Sequence, residues 1–293
     1  MKNSMGNNLR QIFSVAKTQF VGWIADPRMI ILAVLLLVIK ILAIDPLSAR
    51  AIKFGDSMIV FEAFISVGNS GVLTLFIPTV FLVLLSDYPK LKGNSLFLIS
   101  RTGKVNWFLG QLLFLLMSIV SFLGIILIFS AAISAFSGGV FGTQWSDAVT
   151  KYNAKFPEEI GSFDGELLPP NLYNQIPMMT ALFQTFVLMA MYLFMLSLIV
   201  YFFKMLLVSS AGLAAALAVI ALGLVTTSLY SPLRWAFPMA NTIMWLHYEE
   251  ILREPIYPVW CSFAYFGAAV LLLTGSNLAA LKSLRFTENS ELG

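Results

Sequence analysis

The sequence is short of the residues that most site chemistry needs. Its 293 residues include one cysteine, Cys261, and one histidine, His247. A lone cysteine excludes an internal disulfide and a cysteine zinc site, and a lone histidine leaves no histidine cluster for a metal. Charge is sparse as well. Asp, Glu, Lys and Arg make up 11% of the chain, against about 25% in soluble domains. No segment fits the G-x-x-x-x-G-K-[ST] loop, whose backbone amides cradle phosphates. The nearest, at Gly103-Lys104, has Leu98 in the first glycine position and Val105 in the hydroxyl position. No ATP site is visible, and no cofactor is expected in the chain itself. A cleaved signal peptide is not expected either. The first apolar run begins only at Met29, and no small-residue cleavage site follows it.

What the chain has is apolar length. Hydrophobic residues make up 59%, and the mean hydropathy is +0.85. Several runs approach the roughly 20 residues that cross a hydrocarbon core. The pattern reads as an all-α polytopic membrane protein, one transmembrane domain over residues 1–293. Six spans are expected at about 29–44, 58–86, 107–136, 178–203, 206–229 and 259–281. Ahead of them, Leu9, Ile12, Phe13, Ala16, Phe20 and Trp23 recur at helical spacing opposite Arg10, Gln11, Lys17 and Gln19. Residues 9–25 therefore read as an amphipathic helix lying in the membrane interface, ended by an Asp26-Pro27 turn. Asp45–Asp56 reads as a loop. Residues 137–177 form an acidic outer segment with short helices. Short helices are also expected at 234–238 and 244–251, the second supported by an i,i+4 pair of Glu249 with Arg253. Lys and Arg are distributed so that both termini fall on the cytoplasmic side of a cell membrane.

The most informative stretch is Ser86–Gln111. It carries Lys90, Lys92, Arg101 and Lys104 against one acid, Asp87. A short loop this basic stays cytoplasmic. Between its charges, Leu91, Leu96, Phe97 and Ile99 give an amphipathic stretch whose apolar face needs a protein or headgroup partner. Asp87, Gly93, the run Leu96–Ile99, Ser100, Arg101, Gly110 and Gln111 together resemble the loop between the second and third spans of ABC-2 type transporter permeases. That family often has Glu where Asp87 stands and Lys where Gln111 stands. Six spans, the N-terminal interfacial helix and the polar 137–177 segment extend the resemblance over nearly the whole chain.

The resemblance implies a permease subunit of an ABC exporter. Residues 9–25 would be the elbow helix, and the basic loop the coupling helix. Leu91, Gly93, Leu96, Phe97, Ile99 and Arg101 would meet a separate ATPase subunit, with Arg101 paired to an acid on the elbow helix or on that partner. Two ATPase copies and a second permease subunit would complete the assembly in the lipid bilayer, with ATP and Mg held by the ATPase. No nucleic-acid partner is expected. Small residues Ala211, Ala214, Ala215, Ala218 and Gly212 on the fifth span offer a close-packing face.

Polar groups within spans are costly unless they face water or partners. With Gly68 and Gly71 marking irregular backbone, Ser66–Thr74 reads either as an external loop–helix junction or as the lining of a substrate path. Asn69, Ser70 and Thr74 there, with Thr226 and Thr227 on the fifth span, are candidate lining residues, with helix–helix hydrogen bonding as the alternative. Two other classes remain open. A membrane enzyme is one: Glu249-Glu250 and Arg253 resemble the glutamates and arginine of CAAX-type intramembrane proteases, but the spacing is one short and the histidines are missing. A non-transporting sensor or assembly subunit is the other.

Overall fold

The structure is a computed structural model that describes residues 2–90, 99–159, 167–250 and 254–283. Among the described residues it is all-helical, with only two isolated β-bridges, Ile59–Val140 and Tyr248–Pro255. The N-terminal helix α1 spans Lys2–Ile24. Asp26 ends it in an extended conformation and caps the next helix, accepting a hydrogen bond from the Arg28 backbone N–H at 2.9 Å, with Pro27 in the first turn. Helix α2 then runs from Pro27 to Phe54. It absorbs Asp45–Phe54, which the sequence reading placed in a loop. Pro46 explains how. It cannot donate to the preceding turn, and Lys40–Ile44 widen into a π-helical turn in which the Asp45 N–H reaches Lys40. The same widening brings the Lys40 ammonium to the Asp45 carboxylate at 2.7 Å. Gly55, at φ +88°, terminates the helix.

The second apolar segment is not one straight helix. Helix α3 (Glu62–Asn69) and helix α4 (Leu73–Leu85) meet at 84°. Ser70 is extended between them. All eight residues of α3 are buried. Helix α5 (Lys104–Phe136), α6 (Met178–Met205), α7 (Ser209–Ser228) and α9 (Val259–Ser283) are long and apolar enough to cross a membrane, as is α2. The short helix α8 (Pro238–Thr242) lies between α7 and α9. The 137–177 segment carries the four-residue helices Asp147–Thr150, Tyr152–Lys155 and Pro170–Tyr173. The expected helix at 244–251 is only a 3-10 turn, Met244–His247. Tyr248 then turns extended and bridges to Pro255, so no helix carries Glu249.

Two clusters fix which helix ends lie together. Val15 of α1, Ile99, Trp107 and Phe108 of α5, Met205 of α6 and Ala280 and Leu281 of α9 pack in one group. At the other end, Val140 beyond α5 exchanges backbone hydrogen bonds with Met58 and Val60, just before α3. The chain thus runs between the ends six times, five times through one long helix and once through the bent α3–α4 pair. The first and last helices meet at the end that carries the basic loop, called here the basic end.

The far end is closed by the 137–177 segment. Glu62, wholly buried, accepts hydrogen bonds from the Ile59 N–H (2.9 Å), the Ser146 N–H (2.7 Å) and the Ser146 hydroxyl (3.0 Å). Ser146 in turn caps Asp147–Thr150. On the extension of α2, the Arg50 guanidinium lies 4.2 Å from the Tyr152 ring centroid and donates to the Asn153 side chain at 3.1 Å. Lys53 pairs with Glu159, holding that carboxyl below the usual carboxylate range.

Candidate functional site

A cavity of about 500 Å³ opens at the α3–α4 break. Helix α4 has 13 residues, so the break lies about 20 Å from the basic end. One wall is the break itself: Ser70, Gly71, Val72 and Phe76. The facing wall is the far end of α7 with the segment after it: Leu224, Thr227, Tyr230 and Trp245. The sequence-expected residues Asn69, Ser70 and Thr227 are brought together here, from positions more than 150 residues apart in the chain.

Their roles differ. Asn69 borders the cavity but has no polar atom left for a ligand. Its amide nitrogen donates to the Ile65 carbonyl at 2.8 Å and to the Thr185 hydroxyl at 3.2 Å. Its side-chain oxygen accepts the Met244 N–H at 2.7 Å, and its backbone carbonyl accepts the Trp245 indole N–H at 2.9 Å. Asn69 is thus the knot that ties the helix break to α6 and to the 243–247 segment. Thr74 is not a lining residue. It is fully buried and donates to the Ser70 carbonyl at 2.6 Å. Thr226 does not line this cavity either; its hydroxyl donates within its own helix to the Leu222 carbonyl at 2.8 Å. Thr227 keeps its place, and its hydroxyl is buried with no partner.

The segment behind the cavity is held by a second polar network. The Asn241 amide donates to the Trp235 and Phe237 carbonyls, both at 2.9 Å, and accepts the Ser262 hydroxyl at 2.8 Å. His247 Nδ1 faces the Tyr257 carbonyl at 2.7 Å, so that nitrogen carries the proton, and Nε2 lies 3.5 Å from the Ser262 oxygen. Burial depresses the His247 pKa. Ser262 and His247 are both fully buried, and the serine proton points to Asn241. This is a packing network, not a nucleophile with its base.

Comparison with protein-family models, with characterised proteins and with solved structures gives no match. The site is therefore read from its own geometry. Among the described residues no group of three or more His, Cys, Asp or Glu side chains could hold a metal.

At the basic end, Leu91, Gly93, Leu96 and Phe97 lie outside the described residues. Ile99 and Arg101 do not. Ile99 was expected on a free docking face, yet it is 4% exposed, enclosed by the ends of α1, α5, α6 and α9. Its apolar side chain is already covered by the chain's own core. Arg101 is exposed and pairs with no described residue; α1 has no acid to offer it.

The arginine that clamps this end is Arg28, directly after the Asp26-Pro27 turn. Its guanidinium binds Asp26 (2.7 Å), the Ser86 hydroxyl (2.9 Å) and Asp87. Lys204, at the end of α6, donates to the Ser86 carbonyl at the end of α4, a favourable place for a cation. Arg28 holds the Asp26 carboxyl down at about 2, so the clamp stays charged at physiological pH. Its signal in the sequence was the D-P-R cap followed 58 residues later by Ser-Asp, a pairing no local pattern reveals. Gly110, read above as a motif position, has a packing reason. A Cβ there would sit 2.7 Å from Val15, so glycine is what lets α1 lie on α5.

Proposed function

We propose that this chain is the membrane subunit of an ABC exporter, moving its substrate at the expense of ATP hydrolysed by a separate ATPase subunit. The observation that carries the reading is the α3–α4 break with its cavity. Irregular backbone at membrane depth is tolerated only where protein or water covers it, and here it borders an open cavity. Gly71 and Ser70 on one side and Thr227 on the other form the path. Asn69 and Thr74 hold its shape. The six passages are six membrane crossings, with both termini in the cytoplasm and the basic end facing it, in line with the concentration of Lys and Arg there.

The basic loop is the coupling element. Leu91, Gly93, Leu96 and Phe97 dock on the ATPase, and exposed Arg101 pairs with an acid on that partner. Ile99 anchors the loop to its own bundle, through the cluster that gathers α1, α5, α6 and α9. Movement of the loop is thereby passed to four helices together, and through the Arg28 clamp to α4. Two such subunits and two ATPase copies form the assembly, with the exposed face of α7 around Ala214 and Ala218 against the second copy and ATP and Mg on the ATPase. Helix α1 is the elbow.

The test is co-purification and transport. Phe97→Ala and Arg101→Glu should each weaken association with the ATPase, since a buried interface aromatic contributes about 2 kcal/mol or more, while leaving the isolated subunit's melting temperature unchanged. Ile99→Ala should do the reverse. Wild-type ATPase binding and ATP-dependent substrate movement into vesicles by both Phe97→Ala and Arg101→Glu would overturn the coupling assignment.

A further inference from the structure

The chemistry of the cavity narrows what it can take. Among the described residues no acidic or basic side chain lines it. Arg234 is not among the lining residues; its guanidinium lies 5.6 Å from the Tyr230 ring centroid and 5.2 Å from that of Trp235. A charged ligand entering here would lose its hydration without gaining a partner, which is prohibitive at this depth. The walls are instead mainly apolar and aromatic: Leu75, Phe76, Leu224, Met239, Tyr230 and Trp245. Against them stand a few neutral polar groups, of which the buried Thr227 hydroxyl has no partner. Tyr230 sits at the rim in the left-handed region, at φ +50°. A non-glycine residue held there costs on the order of 1–3 kcal/mol, and such residues gather at functional sites. The volume falls within the range of pockets for small organic ligands.

We infer that the cavity binds a small uncharged amphipathic molecule, with a mainly apolar body and one hydroxyl, amide or arylamine group that bonds to the Thr227 hydroxyl. This rests on the transport reading for its purpose but not for its test, because binding needs neither ATP nor the partner.

Gly71 makes the test clean. A Cβ built there meets nothing within 4 Å, and the backbone needs no positive φ. Gly71→Trp should therefore plug the cavity without disturbing the packing, and Gly124→Ala, on α5 and outside the lining with nothing within 4 Å of its added Cβ, should leave it open. The probes are N-phenyl-1-naphthylamine, which is neutral, and 1-anilinonaphthalene-8-sulfonate, which has the same skeleton with an added anion. Binding to the purified subunit in detergent is read as saturable energy transfer from tryptophan. The neutral probe should saturate on wild type and Gly124→Ala, and bind about tenfold or more weakly to Gly71→Trp at an unchanged melting temperature. The sulfonate should show no component that Gly71→Trp removes. Equal binding of the neutral probe to wild type and Gly71→Trp, or a sulfonate component that Gly71→Trp removes, overturns the inference. The transport reading fails separately. Loss of ATP-driven movement with neutral-probe binding intact rejects the exporter and keeps the site, whereas transport unaffected by Gly71→Trp rejects the site and keeps the exporter.

Discussion

Asn69 and Thr226 read alike in the sequence, as polar residues at span depth, but the structure makes their removal very different. Asn69→Ala strips a buried side chain that accepts the Met244 N–H and donates to Ile65 and Thr185. The Met244 N–H is left buried and unsatisfied, a penalty of about 1–3 kcal/mol. The void left by the lost amide adds to it, for a total of about 2–4 kcal/mol. For a chain of this size that is about 2 °C in melting temperature per kcal/mol, so Asn69→Ala should melt about 4–8 °C below wild type. Asn69→Asp should be no better. It keeps the acceptor but aims a carboxylate at the Ile65 carbonyl and buries a charge. Thr226→Ala removes only a hydroxyl bonded within its own helix and should stay within about 0.5 kcal/mol of wild type. The assay is thermal unfolding of the three variants in one detergent, followed by intrinsic fluorescence. Asn69→Ala and Thr226→Ala melting within about 1 °C of each other would refute the assignment of Asn69 as the knot of the break.

Gly68→Ala should lower stability by about 1–3 kcal/mol, because its Cβ would lie 2.1 Å from the Thr185 methyl. Thr185→Ser, which removes that methyl and keeps the hydroxyl, should restore most of the loss in the double mutant, and additive losses would argue against this contact. Arg28→Ala should leave Asp26 and Asp87 unpaired and speed tryptic cleavage at the basic loop several-fold, whereas an unchanged rate would mean the clamp does not hold that loop. His247 carries a depressed pKa, so the unfolded chain binds a proton more readily than the folded one. Its contribution to stability is complete above about pH 6.5 and falls as the pH drops below that value. The melting temperature should fall on acidification from pH 7.5 to 5.5, and the fall should be smaller in His247→Gln, which cannot titrate. Equal slopes would remove His247 from the account.

The long apolar helices were legible because a run of about 20 apolar residues has few other uses. The end of α2 was not. Asp45-Pro46 is a common loop signature, and only the π turn that absorbs the proline keeps the chain helical through it. At the α3–α4 break, Gly68, Asn69, Ser70 and Gly71 announced an irregularity. The 84° bend, and the fact that α3 is buried on every side, came from partners on α6 and in the 243–247 segment that lie 116–176 residues away. Polarity at span depth singled out Ser70 and Thr227, which line the cavity. It could not separate them from Thr74 and Thr226, whose hydroxyls are spent on nearby carbonyls. Apolar character on the basic loop likewise did not say which side chains face inward, and Ile99 proved to be core.

The bend also sets a mechanical ratio. Helix α3 is enclosed on all sides, with Gly68 seated against Thr185, so it is a fixed pivot. Helix α4 is an arm of about 20 Å running from that pivot to the residues held by Arg28 and Lys204. A push of about 2 Å at the clamped end turns this arm by only about 6° and barely shifts Ser70 at its root. The cavity would then change little by movement of its α4 wall. What a stroke at the basic end can displace is the opposite wall, α7, whose first residue follows the end of α6 after three intervening residues. Geared this way, a push delivered under the transport reading proposed above would leave α4 as the stator and make α7 the part that moves.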